Sequence, residues 1–252
     1  MSLLELKGVE VQFSGFRALR GFDLSVAAGE LRCLIGPNGA GKTTALDVIC
    51  GKAQVNGGDI IFAGQNISHF EEHRIARLGI GRKFQVPSVF RELTVKENLH
   101  VAFCRRAGVF ANLGISAAKA NADELEKLAE LVGLKESFRR EAGILSHGQT
   151  QWLEIAMLVA QDAQLLLLDE PTAGMGDEET HHMTDLIRRL NKDQGITMLF
   201  VEHDMAIVFG IADRITVLDN GTFLAEGTAA EISANPRVQS AYLGTAIEET
   251  AA

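Results

Sequence analysis

Apolar positions change their period twice along this chain. Residues 3–6 and 9–13 are short β-prone runs, broken at Gly8 and ended by Ser14 and Gly15. Residues 31–35 form a compact apolar run, an expected strand that leads straight into a glycine-rich segment and a helix start. Asn56, Gly57 and Gly58 carry turn chemistry, with another strand expected over 60–62. From about 88 to 160 the period becomes helical. Ala122, Leu125, Leu128, Leu131 and Val132 share one face of a helix predicted over 121–132, with Gly133 as its stop. A second helix is predicted over 149–160. Alternation then returns: 165–168 is wholly apolar, as for a strand buried on both faces of a parallel sheet. A helix over 178–190 places Met183, Leu186, Ile187 and Leu190 together, and a strand follows at 197–201. Strands at 215–218 and 222–225 flank Asp219-Asn220-Gly221, where Asn-Gly suits the positive φ angles of a type I′ hairpin turn. With no internal repeat or low-complexity linker, the pattern reads as one α/β core interrupted by a helical subdomain.

Composition narrows the class. A chain of 252 residues can bury a substantial core without disulfides. No stretch reaches the 18 apolar residues a membrane span needs, and Glu5 and Lys7 break any signal-peptide layout. The expected place is the cytosol unless a partner holds the chain elsewhere. The formal charge of −9 weighs against a basic nucleic-acid surface. It does not exclude a phosphorylated small ligand, because a local cradle of backbone N–H groups binds phosphate against the global charge. Cys33, Cys50 and Cys104 form no CxxC pair and are expected to be reduced structural thiols.

Gly36-Pro37-Asn38-Gly39-Ala40-Gly41-Lys42-Thr43, followed by Thr44, satisfies GxxxxGK[ST] between an expected strand and helix. Its glycines let backbone wrap closely on phosphate oxygens, and the following helix offers unpaired N–H groups at its positive end. Lys42 is placed for the β- and γ-phosphates and Thr43 for Mg²⁺. Such a match arises by chance in about one chain of this length per hundred. The motif implies nucleoside triphosphate binding and leaves open what the hydrolysis drives.

Four further elements lie downstream of this loop. Leu165-Leu166-Leu167-Leu168-Asp169-Glu170-Pro171 is an apolar strand ending in paired acids, with Asp169 suited to Mg²⁺ and Glu170 to a general base. Leu145-Ser146-His147-Gly148-Gln149 directly precedes a helix; Gln85 follows Arg82-Lys83-Phe84; His203 follows Glu202 after the 197–201 strand. Along the chain, as Gln85, 145–149, 165–171 and His203, they resemble the ABC ATPases across essentially its whole length. The resemblance implies a P-loop NTPase (RecA-like) core with an antiparallel β subdomain and an inserted α-helical subdomain. Residues 1–85 and 162–252 would form the ATP-binding core and 86–161 the helical part. It further implies ATP and Mg²⁺ as ligands, with Thr43, Gln85 and Asp169 on the metal and Glu170, His203 and Gln85 in hydrolysis. Phe13 would stack on adenine, with Phe16 as competitor. Ser146, His147, Gly148 and Gln149 would reach a nucleotide held by a second cassette. Two departures fall at that expected dimer interface: His147 replaces the usual first glycine of the signature, and Gly176 stands where many members carry an aspartate, with Asp177 next. His181 and His182 lie on the following helix, where Glu178 could pair with His182; no third metal ligand is evident.

Within the family, the chain is similar to the ATP-binding subunits of hydrophobic-amino-acid importers. Arg82-Lys83-Phe84-Gln85, the signature, Gln151-Trp152-Leu153-Glu154-Ile155 and Ala173-Gly174-Met175 resemble the ATPases of urea importers in that class. Asn235-Pro236-Arg237-Val238 and Ala241-Tyr242-Leu243-Gly244 fit the class as a whole. The resemblance implies two membrane permease subunits, a second related ATPase (or a homodimer in isolation), and an extracytoplasmic binding protein reached indirectly. It also implies peripheral placement on the cytoplasmic face of the plasma membrane. Branched-chain amino-acid import is the alternative; a lipid- or lipopolysaccharide-extracting system and a soluble non-transport ABC ATPase are weaker ones.

Overall fold

The computed structural model describes residues 2–83, 89–111 and 115–241. In chain order the strands and helices are β1 (Ser2–Phe13), β2 (Phe16–Ala27), β3 (Leu31–Ile35), α1 (Lys42–Ile49), β4 (Gly57–Phe62), β5 (Gln65–Asn66), α2 (Glu72–Arg77) and β6 (Ile80–Lys83). Then come α3 (Val95–Ala111), α4 (Ile115–Leu131), α5 (His147–Ala160), β7 (Leu165–Asp169), α6 (Asp177–Lys192), β8 (Thr197–Val201), α7 (Met205–Ile211), β9 (Arg214–Asp219), β10 (Thr222–Gly227) and α8 (Ala229–Ser233).

Two sheets result. An antiparallel sheet runs β2-β1-β4-β5, and a mixed sheet runs β10-β9-β3-β8-β7-β6 with parallel pairing from β9 through β6. The inner strands are apolar on both faces because each face meets a different core. Leu165, Leu167, Leu199 and Val201 pack with the antiparallel sheet and α1. Leu166, Leu168, Met198 and Phe200 point the other way, onto Leu99, Leu125, Leu153 and Leu186 of the helices. A period of two thus sorts four consecutive leucines between two cores. Leu167→Ala is expected to cost about 2–5 kcal/mol, since the side chain is fully buried and the rigid layers cannot collapse onto the void. Urea unfolding should show the midpoint falling at an unchanged slope.

The two runs expected around Gly8 are one strand. Gly8 adopts φ 57° at a bulge between Leu6 and Val9, and its amide donates to Asp23 Oδ1 at 2.8 Å, so pairing with β2 continues past it. Ser14 and Gly15, at φ 45° and 93°, make the expected turn, and Asn220 and Gly221 make the other at φ 47° and 77°. Gly57 and Gly58 belong to β4 rather than to a free turn. The helix expected over 121–132 starts earlier, at Ile115, and ends before Gly133 (φ 78°). Its neighbour α5 begins two residues before the expected 149, because Ser146 caps it. On α6, Met183, Leu186, Ile187 and Leu190 are buried as one face. Glu178 does not hold His182. That ring stacks on Trp152 with centroids 4.0 Å apart, and its Nε2 lies 3.2 Å from the Val132 carbonyl, tying α6 to the end of α4.

Candidate nucleotide hydrolysis site

The site lies at the carboxyl ends of β3, β7 and β8, where loops leave a parallel sheet and open donors converge. From β3 the chain enters the glycine-rich loop and turns into α1 at Lys42. Gly41 caps that helix at φ 101°. A Cβ there would sit 2.7 Å from the Ala18 carbonyl and 2.9 Å from Leu19 Cδ2, so only glycine lets the loop close on β2. The first helical bond runs from Ala45 N–H to the Gly41 carbonyl at 2.9 Å, leaving the amides of Gly41, Lys42, Thr43 and Thr44 without helical acceptors. These amides and the helix dipole form an anion-binding end. The loop is braced from below: Ala40 accepts from Gly221 N–H at 3.0 Å and donates to Pro37 at 3.1 Å.

Lys42 is buried, and its Nζ donates to the carbonyls of Gly36 at 2.7 Å and Pro37 at 3.0 Å. Burial pushes the ammonium below its ordinary pKa, while the carboxylates of Glu170 and Asp169 oppose that shift. Asp169 ends β7. Burial raises its pKa; Arg82 nearby and a hydrogen bond from the Thr43 hydroxyl oppose the rise. Its Oδ2 is buried with no hydrogen-bond partner. A hydroxyl beside a buried carboxylate oxygen that accepts no hydrogen bond is the kind of oxygen set a hard divalent cation takes, so Thr43 and Asp169 fit Mg²⁺. Gln85 and Phe84 lie outside the described residues.

Glu170 follows at φ 47°, a region an L-residue adopts only when its surroundings impose it. Its amide donates to the Val201 carbonyl at 3.0 Å, and its Oε1 lies 2.9 Å from His203 Nε2. Both side chains are about half exposed (46% and 48%), so water can reach a carboxylate already aimed by an imidazole. Glu202 holds this geometry from beneath. Its buried carboxylate accepts from the Thr172 amide at 3.2 Å, from the Thr172 hydroxyl and from the His203 amide at 3.0 Å. Arg82 plays the matching part below Asp169: it pairs with Asp47, donates to Cys50 Sγ at 3.3 Å, and has NH2 3.5 Å from Asp169 Oδ2. In the sequence Arg82 enters only through the stretch leading to Gln85, and Glu202 only as the neighbour of His203; neither carries a role of its own there. The signal each carried was a charge inside or directly after a run that is otherwise buried.

Phe13 and Phe16 face each other across the β1–β2 turn and are exposed, at 48% and 60%. Exposed paired aromatics suit a stacking surface better than a core position. Ser146 caps α5 through a reciprocal box: Gln149 N–H donates to Ser146 Oγ at 3.2 Å, and Ser146 N–H to Gln149 Oε1 at 3.1 Å. His147 turns toward its own chain. Its Nε2 accepts from the side-chain Nε2 of Gln151 at 2.7 Å, and its ring lies beside Gly174. Gly176 caps α6 without a side chain, and Asp177 begins that helix.

The family profile described as ABC transporter matches residues 19–173, and one described as branched-chain amino acid ATP-binding cassette transporter matches residues 224–248. Over 97% of this chain and 98% of the relative, the sequence is 40% identical to the high-affinity branched-chain amino acid transport ATP-binding protein LivG of Escherichia coli (strain K12). It is 39% identical, with the same coverage, to BraF of Pseudomonas aeruginosa, whose name carries the same description. Among solved structures, the ADP conformation of MJ1267, an ATP-binding cassette of an ABC transporter, matches with a TM-score of 0.82 at 29% identity, covering 97% of this chain and 99% of that one. With its phosphate loop, paired acids and histidine at the carboxyl ends of neighbouring parallel strands, the chain belongs to the ABC transporter family and is one of its ATPases.

Proposed function

We propose that this chain hydrolyses ATP to power a branched-chain amino-acid importer. The open amides of α1 and the Lys42 ammonium receive the β- and γ-phosphates, and Phe13 or Phe16 stacks on the adenine. Thr43, Asp169 and Gln85 would hold Mg²⁺, which when bound offsets phosphate charge. Glu170 Oε accepts a proton from water as the water oxygen attacks the terminal phosphorus and the bond to ADP breaks. His203 keeps Glu170 aimed and lends a donor to the terminal phosphate. The Glu170–His203 contact of 2.9 Å is the observation that carries the hydrolytic reading.

The substrate reading rests on the match of residues 224–248 and on relatives aligned along nearly the whole chain. Those relatives are named for branched-chain amino acids, so the urea reading from short internal stretches becomes the alternative. No substrate contact is expected on this chain in either case. Among the described residues no helix is long and apolar enough to cross a membrane. Membership of the transporter family implies two permease subunits, with this chain on their cytoplasmic side, and a second cassette, related or identical, completing each ATP site. An extracytoplasmic binding protein would deliver the solute. The test is uptake of labelled leucine and labelled urea, side by side, into vesicles carrying the co-purified complex. ATP-dependent leucine uptake without urea uptake supports the reading; the reverse overturns it.

A further inference from the structure

The signature segment already carries an anion supplied by its own chain. Ser146 Oγ accepts from Gln149 N–H, and its single proton goes to Glu179 Oε1 at 2.9 Å. The same carboxylate lies over Gly148: a Cβ there would sit 2.6 Å from Glu179 Cδ and 2.7 Å from its Oε1. With the capping box using the amides of Ser146 and Gln149, those of His147 and Gly148 are the remaining open donors at the positive end of α5. Glu179 reaches this end from the first turn of α6, the helix that follows Glu170 and the Gly174–Gly176 loop. A terminal phosphate seeking the same hydroxyl proton and the same glycine face meets a carboxylate of like charge in its way.

We propose that Glu179 is the resident anion of the signature segment: it occupies the donors that a nucleotide's terminal phosphate takes when a second cassette closes, and so raises the ATP concentration at which closure occurs. The proposal rests on the trans-contact reading of Ser146–Gln149. It links the two halves of the machinery in one chain, since α6 begins seven residues after Glu170 and any shift of that loop moves Glu179 relative to Ser146.

The test uses the full chain purified with its transporter subunits, in a Glu170→Gln background that arrests hydrolysis. The reading is the Mg·ATP concentration giving half-maximal closure, followed by cross-linking between cassettes. Glu179→Gln keeps the size and an acceptor for the Ser146 proton while removing the charge. It is expected to lower the required ATP about two- to fivefold, the range for one charge at a helix terminus. Glu179→Ala should lower it at least as far. A gain of closure is not what a damaged fold produces, and the melting temperature of each variant provides the folding control. Ser146→Ala separates the layers. If it raises the ATP requirement while Glu179→Gln leaves that requirement unchanged or raises it, the resident-anion proposal is overturned and the trans contact stands. If Ser146→Ala has no effect, the trans contact fails and the proposal with it.

Discussion

Glu170→Gln is expected to bind ATP as the unaltered chain does and to lose about 10²–10⁴ in turnover. The amide preserves size and still accepts a hydrogen bond from His203 through its carbonyl, so the loop geometry survives. It cannot take a proton from water. The backbone supports the assignment independently, because Glu170 sits at φ 47° directly after β7, with its amide bonded to Val201 at the end of β8. Strain of that kind persists where surrounding structure fixes it, and here it aims a carboxylate at solvent beside an imidazole. Steady-state phosphate release, measured alongside binding of a fluorescent ATP analogue, separates the two effects. Turnover within a few-fold of the unaltered chain, with binding intact, would remove Glu170 from the proton transfer.

Lys42→Ala should act on the other quantity. Its ammonium sits above the loop, next to the amide end of α1 and facing the carboxylates of Asp169 and Glu170. Removing it deletes the positive charge that offsets both those acids and the phosphates. A charge-assisted hydrogen bond of about 1.5–3 kcal/mol corresponds to an affinity loss of roughly 10- to 100-fold. Equilibrium binding of the fluorescent analogue reads this directly, and turnover falls in consequence at limiting ATP. An affinity unchanged within error would mean that the amides alone carry the phosphates. The contrast between the variants is the informative part: one loses chemistry with binding intact, the other loses binding first.

Much of this site was legible in the sequence because its parts are short and local. The glycine loop, the acids after 165–168 and His203 each sit at a strand end, and strand ends are marked by apolar runs stopping at polar residues. The hairpin at Asn220-Gly221 was legible for the same local reason. What escaped was long-range. Strand β2 went unread because Arg20 and Gly21 interrupt its alternation, though Leu19, Phe22, Leu24 and Val26 are all buried. Strand β6 is only Ile80–Lys83, and its two cations are buried by partners distant in sequence, Asp47 among them for Arg82. Helix α3 shows little separation of apolar and polar faces, so periodicity did not announce it. Glu179 gave no local sign at all: 33 residues separate it from Ser146, and only the packing of α6 beside α5 brings the two together.

His147 shows how the structure can sharpen a departure without assigning it catalysis. The ring is engaged by Gln151 one turn along its own helix and rests beside Gly174, so the extra side chain fills space between the signature and the loop leading to α6. That places it between Glu170's loop and the segment Glu179 touches, a position of packing rather than of phosphate contact within this chain.

We propose that hydrolysis at Glu170 of this chain drives solute import. Its most direct test is ATP-dependent uptake of labelled leucine into vesicles bearing the assembled complex, with the chain unaltered or carrying Glu170→Gln. Uptake is expected with the unaltered chain and a fall of at least tenfold with the variant, given the loss expected in proton transfer. Leucine uptake that proceeds equally well with Glu170→Gln, in complexes shown to contain this chain, would contradict it.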